Sequence, residues 1–125
     1  MHILPLEPMP CPRPRIALRG RFPTAYYPKK YQEWKDEAVK LLKIIRGNAQ
    51  PYTLPLTVDV VFFCNRPRTT KRLTPKGDID NYVKSLLDAL TQAGWWVDDS
   101  LVYHIDAEKC FRSCPTSHIA FSIRS

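Results

Sequence analysis

A chain of 125 residues, 44% apolar and 25% charged, is long enough for one ordinary core, too short for two, and too apolar to remain disordered. No apolar run approaches the roughly 18 residues of a membrane-spanning helix. The opening Met1-His-Ile-Leu-Pro5 lacks the basic start and long apolar stretch of a signal peptide, so the protein is expected in the cytosol. The net charge of +7 is unevenly spread: residues 1–76 carry fifteen Lys and Arg against five acids, and residues 77–125 carry four against seven, balances of +10 and −3. A basic half calls for a polyanion, most often nucleic acid. An acidic cluster in such a protein repels that partner unless a cation lies between them.

The four cysteines, Cys11, Cys64, Cys110 and Cys114, include no CxxC pair, and a cytosolic chain rarely forms disulfides. Cys110 and Cys114 have half a zinc spacing, which neither His104 nor His118 completes, so thiols are expected.

In chain order, residues 3–7 read as a short strand. Pro8, Pro10, Pro12 and Pro14 then exclude helix and favour an extended, semi-rigid arm over about 8–21. The arm carries Arg13, Arg15, Arg19 and Arg21, as a solvated loop or as a DNA-contacting arm. Pro28 suits the start of a helix and Gly47 its exit. Between them Tyr31, Trp34, Ala38, Leu41, Leu42 and Ile45 recur at helical spacing, and the two aromatics are read as core rather than as stacking platforms. Leu56–Cys64 reads as a β-strand. Residues 65–76 hold Arg66, Arg68, Lys71, Arg72 and Lys76 without an acid, a loop expected to be mobile until it meets a phosphate backbone. A second helix is expected over 80–93, stopped by Gly94, with strands over about 101–109 and 117–124. The order β-α-β-α-β-β predicts a single mixed α/β domain with two helices against one sheet.

The second helix carries the chemistry. At about 100° per residue from Asp80, Val83, Leu86, Leu87, Leu90 and Ala93 form one apolar face, and Lys84 falls on the side of Asp80. If the approach is extended, Asp78 and Asp80 point the same way, about 6–7 Å apart, and their carboxylates can converge. Asp98-Asp99, after the Gly94 turn and Trp95-Trp96, could bring the chain back with a third ligand. Hard cations such as Mg2+ take a few carboxylate oxygens together with water and phosphate oxygens. Such an ion polarises a scissile phosphate and acidifies water, and Lys84 could stabilise charge developing on the phosphate. Each residue also has a plainer role open to it. Asp78 or Asp80 could be a helix cap, Lys84 could pair with Asp80 or Asp88 as a surface ion pair, and Asp98-Asp99 could be turn residues.

Taken together, Gly77-Asp-Ile-Asp-Asn81, Lys84, Leu87-Asp-Ala-Leu90 and Gly94-Trp-Trp-Val-Asp-Asp-Ser100 closely resemble the RusA family of Holliday junction resolvases, crossover junction endodeoxyribonucleases that include phage and prophage types. The core of the resemblance runs from Lys76 to about Lys109, and a looser one covers Pro12–Arg15 and the Tyr-rich start of the first helix. It implies a RusA-like fold and a homodimer that makes paired nicks in opposing strands of a four-way DNA junction. Mg2+ is the implied cofactor, with Mn2+ as its candidate substitute. The implied metal ligands are Asp78, Asp80 and Asp99, with Lys84 as the essential lysine and Asp98 and Asn81 as accessories. Gly77 stands where many members have Pro, which should loosen the approach to Asp78. Tyr82 replaces a common Leu and Leu101 a common Gln.

Two further readings stay open: a non-catalytic basic nucleic-acid-binding module, and a nuclease that prefers flaps or forks. His2, His104 and His118 sit in no nucleophile pattern, and Lys109, at the end of the matched region, could contact DNA near the site but is read by default as a solvated surface residue.

Overall fold

The computed structural model describes residues 1–20, 22–112 and 116–125, and for Arg19 the backbone alone; Arg21 and Cys114 lie outside the described residues. Helix α1, Lys29–Arg46, starts after Pro28 and ends at Gly47, whose φ of 63° reverses the chain while its N–H bonds to the Lys43 carbonyl. Tyr31, Trp34, Ala38 and Leu42 are its buried stripe, so the two aromatics are core. The Trp34 indole donates to the Glu7 carbonyl at 2.8 Å.

Among the described residues, six strands form two sheets. β1 (His2–Leu4), β4 (Leu56–Cys64), β5 (Val102–Phe111) and β6 (His118–Arg124) make one sheet in the order β1-β6-β4-β5. β6 is antiparallel to both neighbours, while β4 and β5 run parallel. A parallel pair needs a crossover, and α2 (Ile79–Gln92) lies within it. β4 alternates strictly: Leu56, Val58, Val60, Phe62 and Cys64 are buried, and the residues between them are half-buried. The buried set joins the α1 stripe, Leu86, Leu90, Ile119, Phe121 and Trp95 in one core, so both helices cover a single face. Trp95 is fully buried and donates to the Leu42 carbonyl at 3.0 Å, and Trp96 donates to Thr91 Oγ1 at 2.8 Å. The two indoles thereby fix the chain leaving α2.

Two expectations need correction. The arm does not run on as a single segment: β2 (Arg15–Arg19) and β3 (Phe22–Tyr26) fold back on each other as an antiparallel hairpin after the last closely spaced proline. Ile16-Ala-Leu18 is strand-competent, and Gly20 at φ 68° supplies the reversal. The buried face of α2 is also rotated from the expected one. Tyr82, Ser85, Leu86, Ala89 and Leu90 are buried, whereas Val83 and Leu87 only flank the core. Ser85 tolerates burial because its hydroxyl donates to the Tyr82 carbonyl at 2.9 Å, and Ala89 lets the helix approach closely.

Candidate active site

The entrance to α2 sets the site. Asp78 occupies the N-cap position with an extended backbone, φ −72° and ψ 141°, yet its side chain caps nothing. Its carbonyl instead accepts from the Asn81 and Tyr82 amides at 3.1 and 3.2 Å. Asp80 lies in the first turn. Both carboxylates are exposed, and among the described residues neither has an ion-pair partner. Carboxylates spared from capping and pairing keep their oxygen lone pairs available to another ligand.

A cleft of about 320 Å³ opens between this turn and the chain before the hairpin. Asp78, Asp80, Asn81 and Lys84 line it from α2, and Cys11, Arg13 and Tyr27 line it from the opposite wall. Asn81 joins the walls, because its carbonyl accepts from the Cys11 amide at 2.9 Å. Lys84 is tethered one turn further along, 3.5 Å from Asp88, which also meets Lys35 at 4.0 Å. The Asp88 charge raises the Lys84 pKa above its ordinary value, with burial opposing and Tyr27 adding. Lys84 therefore stays an ammonium at the cleft wall, and its i,i+4 partner is Asp88 rather than Asp80.

Asp98 and Asp99 divide their roles. Asp98 Oδ1 accepts from the Ser100 amide at 3.1 Å and caps a short 3-10 turn over Asp99–Leu101. That bond, followed by one with Asp99, holds Asp98 below the ordinary carboxylate range. Asp99 is raised, first by burial, then by its bond with Asp98 and by the Asp98 and Asp88 charges, with Lys84 opposing. Asp99 thus feels the Asp88 and Lys84 side of α2, but it does not line the cleft. Among the described residues no three His, Cys, Asp or Glu side chains form a ready metal cluster. The structure brings together Asp78, Asp80, Asn81, Lys84 and Arg13, and leaves Asp99 outside that cleft, on the short turn that packs against α2.

Gly77 is not loose. A Cβ there would stand 2.8 Å from Tyr82 Cε2 and 2.9 Å from Pro10 Cγ, so the Tyr82 ring fills the space a larger residue would take. The missing Gly77 side chain and the bulky Tyr82 compensate each other. Sequence reasoning missed Cys11 and Tyr27 as wall residues and Lys109 as a core-facing cation. Only Lys109 left a signal, since two-residue alternation along β5 places it on the side of Ala107 and Phe111.

The basic segment 65–76 leaves β4 without regular structure. Its start is clipped by Glu7, whose two carboxylate oxygens accept from the Asn65 amide at 3.0 and 3.2 Å. Arg66 lies over the Phe111 ring at 5.0 Å. Arg68, Lys71, Arg72 and Lys76 are exposed, as are Arg13 and Arg15. Cys11 and Cys64 are buried thiols, and burial pushes Cys64 up to about 11. No described helix is long and apolar enough to cross a membrane.

These features define a small mixed α/β domain with an acidic helix entrance framed by cations. The chain belongs to the family described as Endodeoxyribonuclease RusA, whose profile matches residues 5–122. It is 34% identical over 71 residues to the crossover junction endodeoxyribonuclease rusA of Enterobacteria phage 82, covering 57% of this chain and 52% of that one. It is 26% identical over 105 residues to the Aquifex aeolicus crossover junction endodeoxyribonuclease RusA, covering 83% and 76%. An Escherichia coli protein of the same description is 33% identical over 72 residues, covering 57% and 52%. The chain thus spans about half the length of the phage and Escherichia coli relatives.

Proposed function

We propose that the protein is a metal-dependent endodeoxyribonuclease that resolves four-way DNA junctions by paired nicks in opposing strands, acting as a homodimer in the cytoplasm. The observation that carries this reading is the pair Asp78 and Asp80: two exposed carboxylates at one helix entrance, without an ion-pair partner among the described residues, sharing a cleft with Lys84 and Arg13. The relatives' descriptions as crossover junction endodeoxyribonucleases point to the same substrate.

The donor set fits a hard cation, since carboxylate oxygens suit Mg2+ and Mn2+ and, among the described residues, no thiolate or imidazole lines the entrance beyond buried Cys11. Asp78 and Asp80 would hold the ion, with Asp99 as a third ligand from the neighbouring turn. When bound, the ion supplies Lewis-acid polarisation of the phosphate and a more acidic water. Lys84 presents its ammonium to charge developing on the phosphate oxygens, and Asp88 keeps that ammonium protonated and aimed. Arg13, Arg15 and the cations at 66, 68, 71, 72 and 76 hold the backbone on either side of the cleft. Two-fold pairing of subunits would set one site on each of two symmetry-related strands.

A nicking assay tests this on a synthetic four-way junction, a flap, a fork and linear duplex, each with and without Mg2+. Paired nicks in the junction that require Mg2+ and vanish in Asp80→Asn, while junction binding persists or tightens, are expected. Preferential cutting of flaps or forks would reassign the substrate. Salt-sensitive binding with no metal-dependent nicking of any substrate would leave a binding module.

A further inference from the structure

Lys109 sits on a face of the sheet where a lysine is unexpected. In the parallel pairing of β4 and β5, Val60 meets Ala107, Phe62 meets Lys109 and Cys64 meets Phe111. Val60, Phe62 and Cys64 form the buried face of β4, so Lys109 projects from β5 toward the layer that α2 covers. A half-buried ammonium there must find acceptors. No carboxylate supplies them among the described residues. The Lys109 Nζ donates to the Pro75 carbonyl at 2.8 Å and to the Gly77 carbonyl.

Those two carbonyls lie on the last residues before Asp78. The Gly77 carbonyl shares one rigid peptide plane with the Asp78 nitrogen and Cα. Holding that oxygen therefore sets the direction in which Asp78 leaves the backbone. The hold on Pro75 fixes the Pro75–Lys76 peptide plane, two planes earlier, and the Tyr82 ring fills the space beside Gly77. The bonds are charge-assisted and so stronger than neutral ones. They span from β5 to the loop, across 34 and 32 residues of sequence.

We propose that Lys109 is a positioning residue. From the neighbouring strand it clamps the 75–77 backbone so that the Asp78 carboxylate stays at the cleft mouth beside Asp80, in register for a divalent cation. The inference rests on the metal-dependent reading above and assigns Lys109 no contact with DNA.

Three chains are compared: wild type, Lys109→Met, which keeps the stem and removes the donors, and Lys109→Arg, which keeps charge and donors. Mn2+ binding is measured directly by titration calorimetry without DNA, junction binding in the absence of metal, and nicking against Mg2+ concentration. Lys109→Met is expected to bind Mn2+ roughly 10-fold or more weakly, the effect typical of losing a residue that orients a metal ligand. Its Mg2+ half-saturation for nicking should rise in parallel while metal-free junction affinity is kept, and Lys109→Arg should fall in between. Wild-type Mn2+ affinity in Lys109→Met overturns the assignment, as does a loss of junction affinity that matches the loss of nicking. Should Lys109→Met fail to fold, a Lys109→Gln chain, which removes the charge and shortens the reach, decides: weakened Mn2+ binding at full junction affinity supports the clamp, and unchanged Mn2+ binding refutes it. If the wild type neither binds Mn2+ nor nicks, the site reading itself falls. If it does both and the variants match it, only the role of Lys109 falls.

Discussion

Gly77 and Tyr82 form a matched pair: the glycine's missing side chain leaves the room that the Tyr82 ring occupies, with Cε2 only 2.8 Å from where a Cβ would stand. Gly77→Ala should therefore cost about 1–3 kcal/mol, the usual penalty of overpacking. Tyr82→Leu in the same chain should return part of that loss, although Pro10 Cγ at 2.9 Å still crowds the new methyl. A double-mutant cycle by urea unfolding measures the coupling, and strictly additive losses would show that the two residues do not share this space.

Three buried acids give the fold an alkaline limit. Burial raises Cys64 from 9.0 to about 11, and also raises Tyr82 and Tyr31. Each group holds its proton more tightly folded than unfolded, so its contribution is present below the unfolded pKa and is lost as pH rises through the folded one. Thermal midpoints should fall progressively above about pH 9, where the unfolded thiol ionises. Cys64→Val should flatten the early part of that fall. A thiol reagent at pH 8 should modify Cys64 only once the protein unfolds, since the native thiol is buried and neutral.

Asp99 should show stability and function pulling apart. Its carboxyl is raised by burial and by Asp98, so its neutral form suits the fold better than its charged form. Stability tied to it is present at acid pH and lost as pH climbs through its raised value. At pH 7 Asp99→Asn should leave the unfolding midpoint unchanged or slightly raised, because the side chain is exposed and its charge is screened by solvent, while nicking is lost. A lowered midpoint would mean that its charge serves the fold instead. Asp98→Ala removes the bond to the Ser100 amide and should lower the midpoint more than Asp98→Asn, which keeps an acceptor.

Exposed loop cations should act additively on binding. Lys71→Ala and Arg72→Ala should each weaken junction binding at every base composition, and each should reduce the slope of log affinity against log salt by about 1, the effect of one phosphate left without its cation. Arg66→Ala should also loosen the loop's start, because its guanidinium rests on Phe111. Unchanged slopes in all three would place DNA on another surface.

Much of this was legible in the chain because local rules and tertiary packing agreed. Leu56–Cys64 alternates as a half-covered strand must, and Pro28 and Gly47 bracket α1 where punctuation predicts. The hairpin was hidden because closely spaced prolines dominate residues 8–14, and Gly20, at φ 68°, is a lone glycine signal for its turn. The α2 face was misjudged because hydrophobicity ranks Val83 and Leu87 above Ser85 and Ala89, whereas close packing selects small residues. The aspartates were legible as a spacing. What spacing could not supply was that Asp78 declines the cap, that Asp88 holds Lys84, or that a lysine from β5 reaches the approach to Asp78.

The strand order has a consequence for biosynthesis. β6 is translated after the other described strands yet lies inside the sheet, joining β1 to β4. Before it emerges from the ribosome, β1 has no neighbour to pair with and β4 lacks one of its two ladders. A partial chain would already carry the residue 78–84 segment, but on a helix without a completed sheet beneath it. On the proposed reading, cutting competence should therefore arrive abruptly once β6 has emerged, rather than growing with chain length.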